Sequence, residues 1–157
     1  MKKITVIGAG IGGLTTAIAL KQKGFHVEVF ESAAEFKRAG SGINLAMNAM
    51  QVFKKLGIYE DILSAANYTH RMNSVTPDLR AIAPIDFKSL ETVFEVKNAA
   101  IHRATLHEIL LKHLGDSPVY LNKRLASLRQ TDGKVHLEFK DGSTHEAEIV
   151  IGADGIN

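Results

Sequence analysis

The sequence contains no cysteine and no tryptophan, and only three prolines in 157 residues. The absence of cysteine excludes disulfides, thiol nucleophiles and cysteine-ligated metal sites. No apolar run reaches the roughly 18 residues that a membrane-spanning helix requires. Met1 leads almost directly into a strand, without the apolar region and cleavage site of a signal peptide. We therefore expect a cytoplasmic protein without a membrane partner.

An excess of charge of either sign is also missing, since 19 Lys and Arg residues stand against 17 Asp and Glu residues. The basic residues are scattered, so no nucleic-acid partner is predicted. His102, His107 and His113 are spaced five and six residues apart, which does not place them on one helix face, and no metal site is predicted. No residue pattern indicates a catalytic acid, base or nucleophile. The length suffices for one domain with a core.

A glycine cluster stands between two apolar segments near the start of the chain. Residues 3–7 are predicted to form a buried parallel strand, residues 11–23 a helix, and residues 26–31 a second strand. Gly8, Gly10 and Gly13 match the G-x-G-x-x-G pattern at the strand-to-helix turn. Such glycines permit a tight turn, close approach of a pyrophosphate, and close packing of the helix on the strand. The pattern predicts a dinucleotide site at the helix N-terminus.

An acidic residue ends the second strand. Glu31 lies 18 residues beyond Gly13, where a carboxylate accepts hydrogen bonds from a ribose diol. An acid at this position disfavours a 2′-phosphate and therefore NADP as the ligand of this site. FAD and NAD both remain open from this motif.

The later part of the chain is predicted to include an antiparallel meander. Asp132-Gly133 and Asp141-Gly142 separate segments with strand character. We predict strands at 124–130, 134–140 and 144–151, with the last returning to the parallel sheet. Between 32 and 123 we predict a loop around Gly40, Ser41 and Gly42, helices at 46–56, 59–66 and 103–115, and strands at 71–76, 79–87 and 91–96. An NAD-binding Rossmann domain would instead continue through helical crossovers.

Four motifs in this order resemble the FAD-dependent aromatic-ring monooxygenases of the para-hydroxybenzoate and salicylate hydroxylase type. They are "GAGIGGL…VEVFE", "RAGSGINLAMNAMQVFKKLGI", "IHRATLHEILL" and "VIGADG". The resemblance implies an α/β fold: a Rossmann-like FAD-binding domain with a parallel sheet, an antiparallel β-meander crossover and a few strands of a second, substrate sheet. Residues 1–157 would be a fragment of that domain, and 70–97 its partial substrate-domain strands.

The resemblance also implies roles for further residues. In the family, the loop after the second strand lies close to the flavin, and Arg38, Gly42 and Asn44 fall there. Arg103 corresponds to an arginine that reaches the FAD pyrophosphate or its ribose. Asp154 matches an acid that organises the FAD phosphates and the NAD(P)H route. With Gly8, Gly10, Gly13 and Glu31, these are the predicted cofactor-binding residues.

In the family, NAD(P)H reduces FAD, and a flavin hydroperoxide hydroxylates a small, usually aromatic, substrate. The family's Gly-Asp-Ala-x-His segment and later substrate-domain strands are absent from this sequence, so the fragment alone is expected to be inactive. Its unpaired strands are expected to favour self-association. Two alternatives stay open: a flavin-dependent reductase or dehydrogenase on the same scaffold, and a non-catalytic, truncated nucleotide-binding remnant.

Overall fold

The computed structural model describes residues 2–37 and 40–156. Its helices are α1 (Ile11–Gln22), α2 (Met47–Lys55), α3 (Tyr59–Ala65), α4 (Phe87–Phe94) and α5 (Arg103–Leu114). Its strands are β1 (Lys3–Ile7), β2 (His26–Phe30), β3 (Gly42–Leu45), β4 (Asn67–Tyr68), β5 (Arg71–Val75), β6 (Ala81–Asp86), β7 (Ala99–His102), β8 (Val119–Tyr120), β9 (Leu125–Thr131), β10 (Lys134–Phe139), β11 (Thr144–Ala147) and β12 (Ile149–Gly152). Two compact units result, one from segments 1–38 and 110–157 and the other from 39–109.

The first unit contains the predicted parallel sheet, in the strand order β12-β1-β2-β8. β1 and β2 are rich in β-branched residues and pair in parallel, with Thr5 opposite Glu28 and Ile7 opposite Phe30. Val6 and Val29 are fully buried, as expected for strands covered on both faces. The chain returns to this sheet at β12, which pairs in parallel with β1. The mixed α/β fold and the return of the last strand are therefore confirmed.

The predicted meander is also confirmed, in the order β11-β10-β9. Asp132 and Gly133 adopt φ values of 53° and 76°, which match the two positive values of a type I′ hairpin turn. The alternation of β10 buries Leu137 and Phe139, and the Phe139 ring stacks on Phe30 at 4.9 Å between centroids. The predicted third strand is interrupted between β11 and β12, so one segment serves two sheets.

The second unit contains two small sheets, one ordered β3-β7-β4 and one formed by β5 and β6. β3 pairs antiparallel with β7, with Gly42 opposite His102 and Asn44 opposite Ala100. The side chains of Leu45, Ala99 and Ile101 are buried on the other face of this pair. Every residue of β5 and β6 is exposed.

Two predictions of local structure were wrong. The predicted loop around Gly42 contains strand β3, whose partner β7 the sequence pattern did not indicate. The predicted strand at 91–96 lies largely in helix α4, which begins after Asp86. The Asp86 carboxylate accepts a hydrogen bond from the Lys88 N–H at 3.0 Å and so caps the helix. Leu90, Val93 and Phe94 have the spacing of one helix face, so the apolar residues in this segment follow the helical repeat.

Candidate cofactor site

The turn between β1 and α1 requires glycine at two of the predicted positions. Gly8 has a φ of +101°, and a Cβ placed on it would lie 2.4 Å from the Ala153 carbonyl oxygen. A Cβ on Gly13 would lie 1.9 Å from the carbonyl oxygen of Gly8. Both distances are far below van der Waals contact. There is therefore no room for a side chain between Gly8 and Ala153, or between the helix at Gly13 and the turn at Gly8. The close packing predicted for Gly13 is therefore present in the structure.

Gly10 has a different environment. It is the N-cap of α1, with φ −70° and ψ 179°, and no side chain caps the helix. A Cβ on Gly10 would have no atom within 4 Å among the described residues. The first turn of α1 also carries no acidic residue. Open space beside uncapped N–H groups at a helix N-terminus fits an anionic group such as a pyrophosphate.

Glu31 faces the same turn with its carboxylate held by backbone donors. The Ala9 N–H donates to Oε2 at 2.7 Å, and the Ala33 N–H donates to Oε1 at 2.8 Å. The Ser32 hydroxyl donates to Oε1 at 3.1 Å. Burial alone would raise the pKa of Glu31, but these hydrogen bonds outweigh it and lower the pKa below 4.5. The carboxylate is thus ionised at neutral pH, and Oε2 keeps a lone pair for a further donor.

The segment 152–155 packs directly on the glycine turn. The Ala153 N–H donates to the carbonyl oxygen of Ile7 at 2.7 Å, which continues the β1–β12 pairing. The Asp154 Cα lies 2.9 Å from the position of a Cβ on Gly8, and its side chain is exposed. The structure therefore brings Gly8, Gly13, Glu31 and Asp154 to one end of the parallel sheet.

The second unit brings a separate group of predicted residues together. The Arg103 N–H donates to the Ser41 carbonyl oxygen at 3.3 Å, at the end of the β3–β7 pair. Gly40 has a φ of +129°, and a Cβ on it would lie 3.4 Å from Arg103 Cβ. Gly42 and Asn44 follow on β3, and both are exposed. Arg38 lies outside the described residues.

The sequence pattern did not indicate several backbone groups and one side chain that contact the predicted site residues. The backbone groups belong to Ala9, Ala33 and Ala153. An alanine side chain gives no sign that its backbone atoms make such contacts. Asn98 donates from Nδ2 to Asn44 Oδ1 at 2.9 Å, across 54 residues of sequence. An asparagine before a short strand is common, so only the folded chain reveals this pair.

The FAD binding domain family matches residues 1–157. This chain belongs to that family. The chain is 36% identical to the 6-hydroxynicotinate 3-monooxygenase of Pseudomonas fluorescens, a match over 99% of this chain and 41% of the relative. It is also 36% identical to the 3-amino-4-hydroxybenzoate 2-monooxygenase of Streptomyces cremeus, over 99% of this chain and 40% of the relative. The predicted resemblance to aromatic-ring monooxygenases is thereby confirmed.

Solved structures agree with these relatives. HpxO of Klebsiella pneumoniae, in complex with FAD and uric acid, superimposes with a TM-score of 0.84 at 29% identity. That match covers 98% of this chain and 39% of HpxO. The chain thus spans about two fifths of the length of the relatives it matches.

The described residues contain neither a metal-ligand cluster nor a membrane-spanning helix. In the segments 2–37 and 40–156, no three or more acidic or histidine side chains are grouped so that they could hold a metal ion. The helices within the same segments are all too short or too polar to cross a membrane.

Proposed function

We propose that this chain binds FAD within an NAD(P)H-dependent flavoprotein monooxygenase that hydroxylates a small aromatic substrate. The observation that carries the proposal is the glycine turn, where an uncapped helix start and open space at Gly10 lie beside the ionised Glu31. Membership of the FAD binding domain family supports FAD over NAD as the dinucleotide. The names of the relatives support oxygenation of an aromatic ring that carries a hydroxyl group.

The chain's own residues would first bind the pyrophosphate of FAD. The N–H groups at the start of α1 donate hydrogen bonds, and the helix dipole favours the negative charge. Gly10 admits the phosphate because it has no side chain. Gly8 and Gly13 act indirectly, since they allow the helix to begin close to β1.

Glu31 would have two roles at once. Its bonds to the Ala9 and Ala33 N–H groups fix the carboxylate beside the turn, and a ribose hydroxyl would donate to its remaining lone pair. Because the orientation is set before FAD arrives, little side-chain entropy is lost on binding. Glu31→Gln would retain the shape, but its NH₂ group would face one of the two backbone donors.

The remaining predicted residues extend this proposal by resemblance. Arg38, Gly42, Asn44 and Arg103 would contact FAD, and Asp154 would assist at the phosphates. When bound, FAD supplies the redox chemistry, in which NAD(P)H provides two electrons, one atom of O₂ enters the substrate and the other leaves as water. The domain assignment, with 70–97 as part of a substrate domain, and the cytoplasmic location both stay predictions.

Cofactor binding is tested by titrating FAD into the purified chain and following flavin fluorescence. Gly10→Ala is the informative variant, because the added methyl group meets no atom of the described chain but occupies the space assigned to a phosphate. Gly12→Ala is the matched control, since its Cβ also meets no atom within 4 Å. We expect Gly10→Ala to bind FAD at least tenfold more weakly while its Tm falls by no more than a few degrees, since alanine is a poorer N-cap than glycine. Gly12→Ala is expected to bind FAD normally.

The oxygenase reaction needs its own test. The test uses the 157-residue segment joined to the family regions that it lacks. That protein would be supplied with FAD, NAD(P)H and hydroxylated aromatic acids, and the amount of O₂ consumed would be compared with the amount of product. A hydroxylated product formed in an amount equal to the O₂ consumed supports the proposal. NAD(P)H oxidation that gives only hydrogen peroxide would contradict an oxygenase function and favour a reductase. Product from the 157-residue chain itself would contradict the expectation that this segment alone is inactive.

A further inference from the structure

Asn98 is an almost completely buried amide with an incomplete set of hydrogen bonds. It is 1% exposed. Its backbone carbonyl oxygen accepts a hydrogen bond from the Thr69 N–H at 3.0 Å, which anchors the backbone before β7. Its side-chain Nδ2 donates to Asn44 Oδ1 at 2.9 Å. Its Oδ1 has no hydrogen-bond partner among the described residues. Native proteins rarely retain such a group without a reason.

In the Asn98–Asn44 hydrogen bond, the buried residue donates and the exposed residue accepts. Among the described residues, this arrangement uses the Nδ2 of Asn98 and leaves its Oδ1 without a donor. Because Asn44 accepts with Oδ1, its own NH₂ group is the end that is available for another partner.

The surroundings of Asn44 suit a flat ligand. Asn44 is exposed on β3, and the strand alternation places it on the same face as Gly42 and its pairing partner Ala100. A Cβ on Gly42 would meet no atom closer than 4.0 Å. The same face also carries His102, opposite Gly42, and Asn67, opposite Ala100, so the small residues Gly42 and Ala100 lie among polar side chains.

We propose that Asn98 is a positioning residue, which holds the Asn44 side chain with its NH₂ group outward as a preset donor to a carbonyl oxygen of the flavin ring. The inference rests on the proposed function, because it takes FAD as the ligand. Asn98 itself contacts Asn44 and no cofactor atom. Its contribution is orientation: an asparagine fixed before binding loses less side-chain entropy than a free one.

Five variants test this assignment through the FAD dissociation constant and the visible absorption bands of bound flavin. Asn44→Asp keeps the acceptor for Asn98 and removes the outward donor at an exposed position. Asn98→Leu keeps the branched shape and removes the orienting donor. Asn98→Asp provides only acceptors, so Asn44 must turn its NH₂ group inward. Asn44→Ala, alone and combined with Asn98→Leu, measures whether the two residues act as a unit.

We expect Asn44→Asp and Asn98→Leu each to weaken FAD binding about fivefold to tenfold, the range of one lost hydrogen bond. Asn98→Asp is expected to weaken it at least as much, with shifted flavin bands, because an oxygen would face the flavin carbonyl. In the Asn44→Ala background, Asn98→Leu is expected to change the affinity less than twofold. A purely structural role of Asn98 would produce the same loss in both backgrounds.

The outcomes separate this inference from the function on which it rests. A wild-type chain that takes up no FAD would overturn both. A wild-type chain that binds FAD, together with an Asn98→Leu affinity like that of wild type, would overturn the positioning role alone. If Asn98→Leu does not fold, Asn44→Asp decides: an unchanged affinity and unchanged flavin bands in that variant would also overturn the inference.

Discussion

The strand pairs β1–β2 and β5–β6 have similar apolar sequences and opposite environments. In β1 and β2, all residues after the first of each strand are buried. In β5 and β6, every residue is exposed, including Met72 at 44% and Ile82 at 65%. The difference teaches that partly apolar segments form strands in both places, but that only strands covered on both faces form a core.

Hydrogen exchange is expected to show the largest difference between the two strand pairs. Amides of β1 and β2 should exchange only through global unfolding, whereas those of β5 and β6 open locally because few buried contacts hold the pair. We expect exchange at least about 10³-fold slower in β1–β2. The measurement is native-state exchange read by NMR or mass spectrometry. Comparable protection in the two pairs would mean that the apolar face of β5–β6 is covered in solution.

Gly13→Ala is expected to damage the parallel-sheet unit severely. The new methyl group would overlap the Gly8 carbonyl oxygen, so the helix must shift away from β1. We expect a loss of about 3 kcal/mol in the free energy of unfolding, measured in urea. Gly12→Ala is the matched control in the same helix, and alanine there should stabilise by up to about 1 kcal/mol. Equal stability of the two variants would refute the close packing at Gly13.

Glu28→Gln is expected to have a smaller effect, which depends on pH. Glu28 is 3% exposed and accepts hydrogen bonds from Lys3 Nζ at 2.9 Å and from the Thr5 hydroxyl at 2.7 Å. His145 Nε2 also contacts its carboxylate. Burial alone would raise the pKa of Glu28, but Lys3, Thr5 and His145 outweigh it and lower the pKa below 4.5. At pH 7 we expect a loss of about 1–2 kcal/mol.

The sign of the pH dependence follows from that lowered pKa. The stabilisation is complete above pH 4.5, the ordinary value of the unfolded chain, and is lost as the pH falls through the folded-state pKa. Wild-type protein should therefore lose stability more steeply below pH 4.5 than Glu28→Gln. Glu148→Gln, at an exposed carboxylate, is the control and should follow wild type. Parallel curves for wild type and Glu28→Gln would contradict the assignment.

Val93→Thr is expected to have the smallest effect on stability and a clear effect on association. Val93 is 72% exposed on α4, so its replacement by a residue of the same shape should change the free energy of unfolding by less than about 0.5 kcal/mol. If β5, β6 and α4 drive the predicted self-association, the variant should form less dimer in sedimentation or light scattering. Val52→Thr, at another exposed helical valine, is the control. A monomeric wild-type chain would contradict self-association.

Much of the first unit could be predicted because its residues follow strong local rules. The β-branched strand, the glycine spacing and the acid at the end of β2 each restrict the backbone within a few residues. The Asp132-Gly133 hairpin is a similar case, since its positive φ values favour those two residue types. The second unit was harder to predict. Its strand β3 depends on β7, more than 50 residues away, and α4 has a short apolar pattern that suits either helix or strand.

The sequence by itself determined the βαβ unit, the meander and the family, because each depends on spacing within short segments. Only the tertiary structure decided which groups meet. It placed the Ala9 N–H on Glu31, Ala153 against Gly8, and the buried Asn98 on Asn44. These contacts join residues that are distant in the chain, and backbone atoms take part in most of them. Because every residue type has the same backbone atoms, no sequence pattern predicts these contacts.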